Sequence, residues 1–287
     1  MDIYVGLDIG GTKFMVAAAD ADYRILKRTM EDTPYEKDEG LALLNAMIRS
    51  VSEGRPITGM GAAVGGPLDR RRGVVSPLHQ AAWRDVPLKE IMERTWRCPF
   101  VVDVDTNVAA LGEYALARNK PARLLYLTLS TGMGGGFVVG GKIYRGLNEA
   151  HPEAAHQSVH YRCSHPENIR CECQSEMNDC LEALVSGRGI MQIYGKSFPE
   201  LDDAEWEEVA FNLGQGLRNL ATIYLPDEIV LGGGIIAKEG GRRLLDRARE
   251  VMRRGLKLVP IPEVRLSRLG YDTALMGALV IAKEGLE

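Results

Sequence analysis

Two glycine-rich turns, each flanked by apolar segments, most constrain what this chain can fold into. The first lies in Gly6-Leu-Asp-Ile-Gly-Gly-Thr-Lys13, which is followed by Phe-Met-Val-Ala-Ala-Ala. The second lies in Leu127-Thr-Leu-Ser-Thr-Gly-Met-Gly-Gly-Gly136, which is followed by Phe-Val-Val. Glycine turns between strands let backbone N–H groups approach a bound group closely. The repeated pattern predicts a phosphate chain gripped from two sides by two similar halves of the protein.

Length, charge and hydropathy exclude several classes of protein. The 287 residues suggest two domains, and a net charge of −4 with interspersed acids and bases gives no sign of nucleic-acid binding. No apolar run reaches the ~18 residues of a membrane span. Asp2 and Asp8 interrupt the N-terminal segment, which therefore reads as a strand and not as a signal peptide. We expect a cytoplasmic protein in a reducing compartment. The basic run Arg70-Arg71-Arg72 predicts a solvated hairpin tip.

Periodicity predicts an α/β protein with two similar halves. Strands are predicted at Ile3–Ile9, Lys13–Ala19, Ile57–Val64, Phe100–Val104, Arg123–Leu129, Gly136–Val139, Glu228–Leu231 and Val264–Leu266. Helical spacing of apolar residues lies between them, with a last helix from about Ala274 to Ala282. We place the first domain at 1–119, with a C-terminal helix at about 273–287 packing back on it, and the second at 120–272. The second domain contains the polar, irregular stretch from Asn148 to Asp179.

A third glycine cluster, Gly232-Gly233-Gly234, follows the predicted strand at Glu228–Leu231. The sequence does not match two other common nucleotide-binding patterns. Gly195-Lys196-Ser197 looks like the end of a P-loop, but the preceding Gly189 is one position too far away. No Gly-x-Gly-x-x-Gly follows a strand and opens a helix, which disfavours a dinucleotide-dependent oxidoreductase.

Together these clusters carry a resemblance to a known family. Asp8-Ile-Gly-Gly-Thr-Lys13, Thr131-Gly-Met-Gly-Gly-Gly136 and Leu231-Gly-Gly-Gly234 resemble the phosphate-1, phosphate-2 and adenosine motifs of the sugar-kinase, Hsp70 and actin superfamily. More narrowly, the chain resembles the ROK family (repressors, open reading frames, sugar kinases) from Gly6 to about Gly277. The resemblance implies two ribonuclease-H-like (actin-like ATPase) domains, with ATP and sugar in the cleft between them.

The resemblance also assigns cofactors and partners. It implies that Asp8 orients Mg²⁺ and that ATP is bound by Asp8, Gly10, Gly11, Thr12, Thr131, Gly132, Gly134, Gly233 and Gly234. Lys13 is left outside this set, as an exposed strand residue. Only seven residues precede Asp8, so we expect none of the DNA-binding module that family repressors carry there. The family suggests a homodimer that acts on small molecules, with no nucleic-acid or membrane partner.

Asp105 has two readings. It lies where a predicted strand enters a helix, and Asp at such a place is commonly a helix cap. The resemblance instead puts the family's catalytic base there, where it would accept the proton of a sugar hydroxyl. Many family glucokinases have Asn just before this Asp, whereas this chain has Val104. That departure weakens a strict glucose assignment.

The resemblance also points to a sugar-binding group. Glu153-Ala-Ala-His156 is similar to the family's Glu-x-Gly-His motif, and Cys180-Leu-Glu182 is similar to its Cys-Leu-Glu. The family pattern therefore implies sugar contacts from Glu153, His156 and Glu182. The context His151-Pro152-Glu153 looks more like the fructokinase branch.

Local cysteine density independently indicates a zinc site. Cys171, Cys173 and Cys180 place three thiolates in a short stretch, and His156 would complete a tetrahedral site. The spacing from the second to the third Cys is two residues longer than is usual in the family. Substitute ligands therefore stay open: His160, Cys163 and His165. The alternative is a set of free thiols or a disulfide, and a reducing compartment disfavours the disulfide.

The resemblance implies an ATP-dependent sugar kinase that phosphorylates a hexose, at its 6-hydroxyl by analogy with the family. Glucose or a close epimer, fructose, mannose and N-acetylmannosamine all stay open as substrates, because selectivity depends on a few polar contacts. We expect the two halves to close on the bound substrates. The alternative of another class is a non-catalytic, sugar-binding regulatory protein. The presence of Asp105 disfavours that alternative.

Overall fold

The computed structural model describes residues 2–78, 80–171, 173, 177–237 and 239–286. The chain divides into two units, one formed by residues 1–118, 141–143 and 272–287 and the other by residues 119–140 and 144–271. The outermost predicted domain boundaries, 1 and 287, lie outside the described residues, as do residues 172 and 174–176 of the irregular stretch. Each unit is described by itself below.

The secondary structure alternates strands and helices. The strands are β1 (Ile3–Ile9), β2 (Lys13–Ala19), β3 (Ile25–Asp32), β4 (Ile57–Val64), β5 (Leu68–Asp69), β6 (Val74–Val75), β7 (Phe100–Val104), β8 (Arg123–Leu129), β9 (Met133–Val139), β10 (Lys142–Ile143), β11 (Glu228–Gly232) and β12 (Glu263–Leu266). The helices are α1 (Lys37–Ser52), α2 (Leu88–Trp96), α3 (Asp105–Ala115), α4 (Leu181–Val185), α5 (Gly187–Tyr194), α6 (Asp203–Tyr224), α7 (Gly241–Gly255) and α8 (Thr273–Glu284).

The sheet of the first unit has the strand order β3-β2-β1-β4-β7. β1 and β2 form an antiparallel hairpin around the first glycine turn, while β1, β4 and β7 run parallel. β1 and β4 are almost entirely buried, as expected of parallel strands covered on both faces. The edge strand β3 is nearly all exposed, so it lacks the apolar pattern by which the other strands are predicted.

The sheet of the second unit repeats this arrangement. Its strands follow the order β9-β8-β11-β12. β8 and β9 form an antiparallel hairpin around the second glycine turn, and β11 and β12 continue the sheet in parallel with β8. The α/β fold with two similar halves is confirmed.

The last helix, α8, packs on the first unit because small residues leave room for its backbone. Added Cβ atoms on Gly59 and Gly61 of β4 would lie 2.3 and 2.2 Å from carbonyl oxygens of α8. At the crossing with α3, a Cβ on Gly277 would lie 2.0 Å from the carbonyl oxygen of Val108. This close packing brings Asp272, the residue immediately before α8, into the first unit.

One smaller sequence prediction, the hairpin tip at Arg70-Arg71-Arg72, is also confirmed. Arg70-Arg71-Arg72 forms the turn of the β5–β6 hairpin, where Asp69 accepts a hydrogen bond from the Arg72 N–H. Cys98 is packed in the core of the first unit. No helix within the described residues is long and apolar enough to cross a membrane.

Candidate active site

The first glycine turn, between β1 and β2, is fixed by hydrogen bonds to the backbone of Gly10. Its N–H donates to the carbonyl of Lys13, 3.0 Å away. Its carbonyl accepts hydrogen bonds from the Thr33 hydroxyl at 2.7 Å and the Gln80 amide at 3.1 Å. Gly11 and Thr12 next to it are exposed. The turn therefore has a fixed shape and an accessible backbone, as phosphate binding requires.

Asp8, at the end of β1, belongs to an acidic cluster within the first unit. Its pKa is raised to about 7 by burial and then by the negative charges of Asp105 and Asp272. The negative charge of the carboxylates beside Asp8 is charge that a divalent cation would neutralise, and Mg²⁺ prefers such oxygen ligands. The residues present therefore fit a magnesium ion at Asp8.

Asp272 is a member of this cluster that the sequence did not indicate. It lies immediately before α8, far from Asp8 in the chain, and the packing of α8 on the first unit brings the two charges together. Arg28 of β3 donates to Asp272 over 2.7 Å. Asp272 and Asp8 come together only because the chain returns to the first unit at α8.

Asp105 is the first residue of α3, and the extended residue Val104 occupies the N-cap position. The Asp105 carboxylate accepts a hydrogen bond from the next N–H, that of Thr106, at 2.7 Å. Asp105 is thus not at the N-cap position that the capping reading gave it. The neighbouring Asp103 is fully buried and accepts hydrogen bonds from the Val104 N–H and the Asn107 side chain. Asp103 therefore ties β7 to α3, whereas Asp105 is only partly buried.

The second glycine turn, between β8 and β9, is held by the start of α5. The N–H groups of Gly187 and Arg188 donate to the carbonyls of Ser130 and Thr131, at 2.8 and 3.0 Å. Ser130 in turn donates to the carbonyl of Gly132. Thr131 at the tip of the turn is exposed. This turn, like the first, combines fixed geometry with an accessible tip.

The third glycine cluster lies beside the second turn. Gly233 has a φ of +96°, and a Cβ there would lie 2.4 Å from the carbonyl oxygen of Leu129. The same carbonyl accepts a hydrogen bond from the Ile235 N–H at 2.9 Å. A Cβ on Gly234 would meet no described atom within 4 Å. Position 233 therefore requires glycine, because a side chain there would collide with the Leu129 backbone. Gly234 instead borders open space at the ends of β8 and β11.

Glu182, in the first turn of α4, contacts the second glycine turn. Its Oε2 atom accepts a hydrogen bond from the Met133 N–H at 3.1 Å. That oxygen also lies 3.5 Å from where a Cβ of Gly132 would be. The structure therefore brings Glu182 to the phosphate-2 motif, a contact that the resemblance did not indicate.

Glu153 and His156 lie together around a short 3₁₀ turn. The Glu153 carboxylate is 3.8 Å from Nε2 of His156 and 3.4 Å from Nε2 of His151. The other ring nitrogen of His156, Nδ1, is buried and has no hydrogen-bond partner among the described residues. A ring nitrogen left in that state is suited to a metal ion or a ligand.

Three of the four predicted zinc ligands form a cluster. The ligand atoms of His156, Cys173 and Cys180 all lie within 4.8 Å of one another. The fourth, Cys171, is adjacent, since its Sγ accepts a hydrogen bond from the Cys180 N–H at 3.3 Å. Burial and the two neighbouring thiols raise the pKa of Cys180. This donor set is the nitrogen and sulfur chemistry that zinc prefers.

Among the described residues, the substitute ligands are not members of this cluster. Cys163 interacts with Tyr194, and His165 packs against the same ring at 6.2 Å between centroids. His160 packs against Phe211 at 6.3 Å. The cluster therefore favours the original set of His156 and three cysteines over any of these replacements.

The two similar α/β halves and their three glycine motifs define an actin-like ATPase fold. The sequence model of the ROK family matches residues 4–285. A glucokinase of Streptomyces coelicolor is 30% identical over 322 residues, which cover 99% of this chain and 98% of that protein. A fructokinase of Zymomonas mobilis is 30% identical over 298 residues, covering 98% of this chain and 96% of that protein.

A solved structure gives the same result. The ROK family glucokinase from Streptomyces griseus, in complex with glucose and AMPPNP, is 29% identical with a TM-score of 0.81. The match covers 99% of this chain and 100% of that one. The chain belongs to the ROK family, and within that family it is a sugar kinase.

Proposed function

We propose that this kinase transfers the γ-phosphoryl group of ATP to the 6-hydroxyl of a hexose, glucose or a close relative, with Asp105 as general base. The observation that carries the proposal is the place of Asp105: first in α3, partly buried, and electrostatically coupled to Asp8. A carboxylate there can accept the hydroxyl proton as the oxygen attacks phosphorus. Because the transition state of phosphoryl transfer is loose, positioning and charge neutralisation do most of the catalysis.

The phosphates are held by the fixed backbone turns. In this proposal Gly10, Gly11 and Thr12 act from the first unit, and the second unit contributes Thr131, Gly132, Gly134, Gly233 and Gly234. Asp8 would hold Mg²⁺, with Asp272 adding charge nearby. The cation would neutralise negative charge on the transferred phosphate.

Sugar recognition is proposed for Glu153, His156 and Glu182. Glu153 and His156 are adjacent and polar, and Glu153 is exposed. Zinc bound by His156, Cys171, Cys173 and Cys180 would fix the His156 ring beside Glu153, because those ligands come from an otherwise irregular stretch. Val104 is buried and apolar, so it supplies no hydrogen bond to a sugar hydroxyl. We therefore expect a broad or shifted hexose preference, with glucose accepted.

Fructose phosphorylation is the second candidate, with mannose and N-acetylmannosamine as further alternatives. It is favoured by the Zymomonas mobilis fructokinase, which is as similar in identity as the glucokinase relative. The His151–Glu153 contact also gives a local role to the fructokinase-like context of this motif.

The test is a coupled assay of ATP turnover across glucose, mannose, fructose, N-acetylmannosamine and N-acetylglucosamine, with the phosphorylated carbon located by NMR. We expect the highest kcat/KM with a hexose and the phosphate on its 6-hydroxyl. Turnover confined to another position would overturn the proposal. Specific sugar binding without turnover would support the regulatory alternative.

We also propose that the protein is a homodimer. Light scattering of the purified chain would test this proposal.

A further inference from the structure

Two thiols of the cysteine cluster are close enough to react with each other. The Sγ atoms of Cys173 and Cys180 are 3.1 Å apart, and neither cysteine forms a disulfide bond. A disulfide bond is about 2.05 Å long, so joining them needs a relative movement of about 1 Å. Cys173 is exposed and Cys180 is buried. An accessible thiol next to a second thiol is the spatial arrangement that redox-sensor cysteines often have.

We propose that Cys173 is a site of reversible oxidation by peroxides, with Cys180 as the resolving thiol. The sulfur of Cys173 attacks one peroxide oxygen, the O–O bond breaks, and Cys173 becomes a sulfenic acid as water leaves. The sulfur of Cys180 then attacks the sulfur of Cys173, the S–O bond breaks, and a second water leaves. In total, two thiols lose two electrons and two protons, and hydrogen peroxide is reduced to two waters. A dithiol reductant reverses the reaction by thiol–disulfide exchange.

The position of Cys180 connects this chemistry to the sugar-binding and phosphate-binding motifs. Cys180 is the N-cap residue of α4, and the next residue, Leu181, donates its N–H to the carbonyl of Gln157 at 3.0 Å. Gln157 directly follows His156 in the chain. Glu182, which directly follows Leu181, contacts the second glycine turn. A covalent link at Cys180 therefore acts on the segment that holds both motifs.

The functional consequence rests on the proposed zinc site. A disulfide between Cys173 and Cys180 removes two of the three thiolates of that site, and zinc bound there would be released. His156 would then lose its fixed orientation beside Glu153. We expect oxidation to raise the KM for the sugar more than the KM for ATP.

The experiment is a titration of the full-length, zinc-loaded protein with hydrogen peroxide. Peptide mass mapping should find a Cys173–Cys180 disulfide, with loss of two of the five thiols. A chromogenic chelator should record zinc release in parallel, and dithiothreitol should restore the thiols. Cys173→Ser should block the disulfide. Cys163→Ser is the matched control, because Cys163 lies in the same region but contacts Tyr194, and it should oxidise like the unmodified protein.

The outcomes separate this inference from the zinc proposal. A Cys173–Cys180 disulfide in protein that carries no zinc supports the oxidation site and overturns the zinc site. Retention of all thiols under peroxide excess overturns the oxidation site, whatever the zinc content. A disulfide between Cys171 and either Cys173 or Cys180 also overturns the oxidation site, because the reacting pair would then not be Cys173 and Cys180.

Discussion

The carboxylate of Glu182 accepts a hydrogen bond from the backbone N–H of Met133, 3.1 Å away. This bond joins α4, which begins at the cysteine cluster, to the glycine turn of the phosphate-2 motif. A group assigned to the sugar by resemblance thus also shapes a phosphate-binding turn. Charge-assisted hydrogen bonds of this kind are among the stronger ones in proteins.

Removing the Glu182 carboxylate should weaken nucleotide binding as well as sugar binding. Glu182→Ala leaves the Met133 N–H without this acceptor, whereas Glu182→Gln keeps a neutral acceptor of similar shape. We expect the KM for ATP to rise for Ala and to rise less for Gln, in steady-state kinetics with saturating sugar. An Ala variant with an unchanged KM for ATP would mean that the bond does not shape the turn.

Asp105→Asn should leave folding and ATP binding nearly unchanged. We expect kcat to fall by about 10² or more, the scale for loss of a positioned general base. The measurement is steady-state kinetics combined with a thermal denaturation curve and an ATP titration. Turnover at the unmodified rate would refute Asp105 as the base. A large loss of stability in place of activity would favour a purely structural role at the start of α3.

Asp8 should make the metal-free protein less stable as pH rises towards neutrality. Burial, Asp105 and Asp272 raise its pKa from 3.8 to about 7. Between these values the folded protein keeps a proton that the unfolded chain has released. The contribution of Asp8 to the free energy of unfolding therefore falls as pH rises from about 4 to about 7. Above about pH 7 it no longer changes.

Urea denaturation at a series of pH values, in chelator-treated buffer, measures this effect. Asp8→Asn should remove this part of the pH dependence. Asp272→Asn should reduce it, because one of the two neighbouring charges is lost. The same slope in Asp8→Asn as in the unmodified protein would show that other groups cause it.

The purified protein should contain about one zinc per chain. Chelation should lower sugar affinity, because the His156 ring would lose its fixed position beside Glu153. Cys173→Ser should reduce the zinc content measured by elemental analysis, and Cys163→Ser should not. Loss of metal in Cys163→Ser would show that Cys163 is a ligand. Protein made without chelators that contains no zinc would exclude the site.

Gly277→Ala should destabilise the first unit, although alanine favours helices. The new Cβ would lie 2.0 Å from the Val108 carbonyl oxygen, so α8 must move away from α3. We expect a loss of about 1–3 kcal/mol, the usual cost of overpacking. Gly146→Ala is the control, since its Cβ would lie 3.5 Å from the nearest described atom, the Ala150 carbonyl oxygen. Equal stability of the two variants by urea denaturation would refute close packing at Gly277.

Much of the fold could be predicted because short stretches of sequence indicate where strands and turns lie. The predicted strand bounds Ile3–Ile9, Lys13–Ala19 and Arg123–Leu129 are those of the structure, since buried apolar runs and glycine turns mark them. The edge strand Ile25–Asp32 was not predicted, because an exposed strand needs no apolar pattern and is defined by pairing with its neighbour. The capping reading of Asp105 was wrong by one position, since Val104 is the N-cap.

The sequence by itself determined the elements that depend on near neighbours: the two glycine turns, the α/β pattern and the membership of the ROK family. The tertiary structure alone decided which groups distant in the chain meet. Asp272 joins Asp8 because α8 returns to the first unit and packs on glycines, and Glu182 reaches Met133 because α4 lies against the second glycine turn. Local propensity reaches only a few residues along a chain. The pKa of Asp8 depends instead on burial and on charges that only packing brings near.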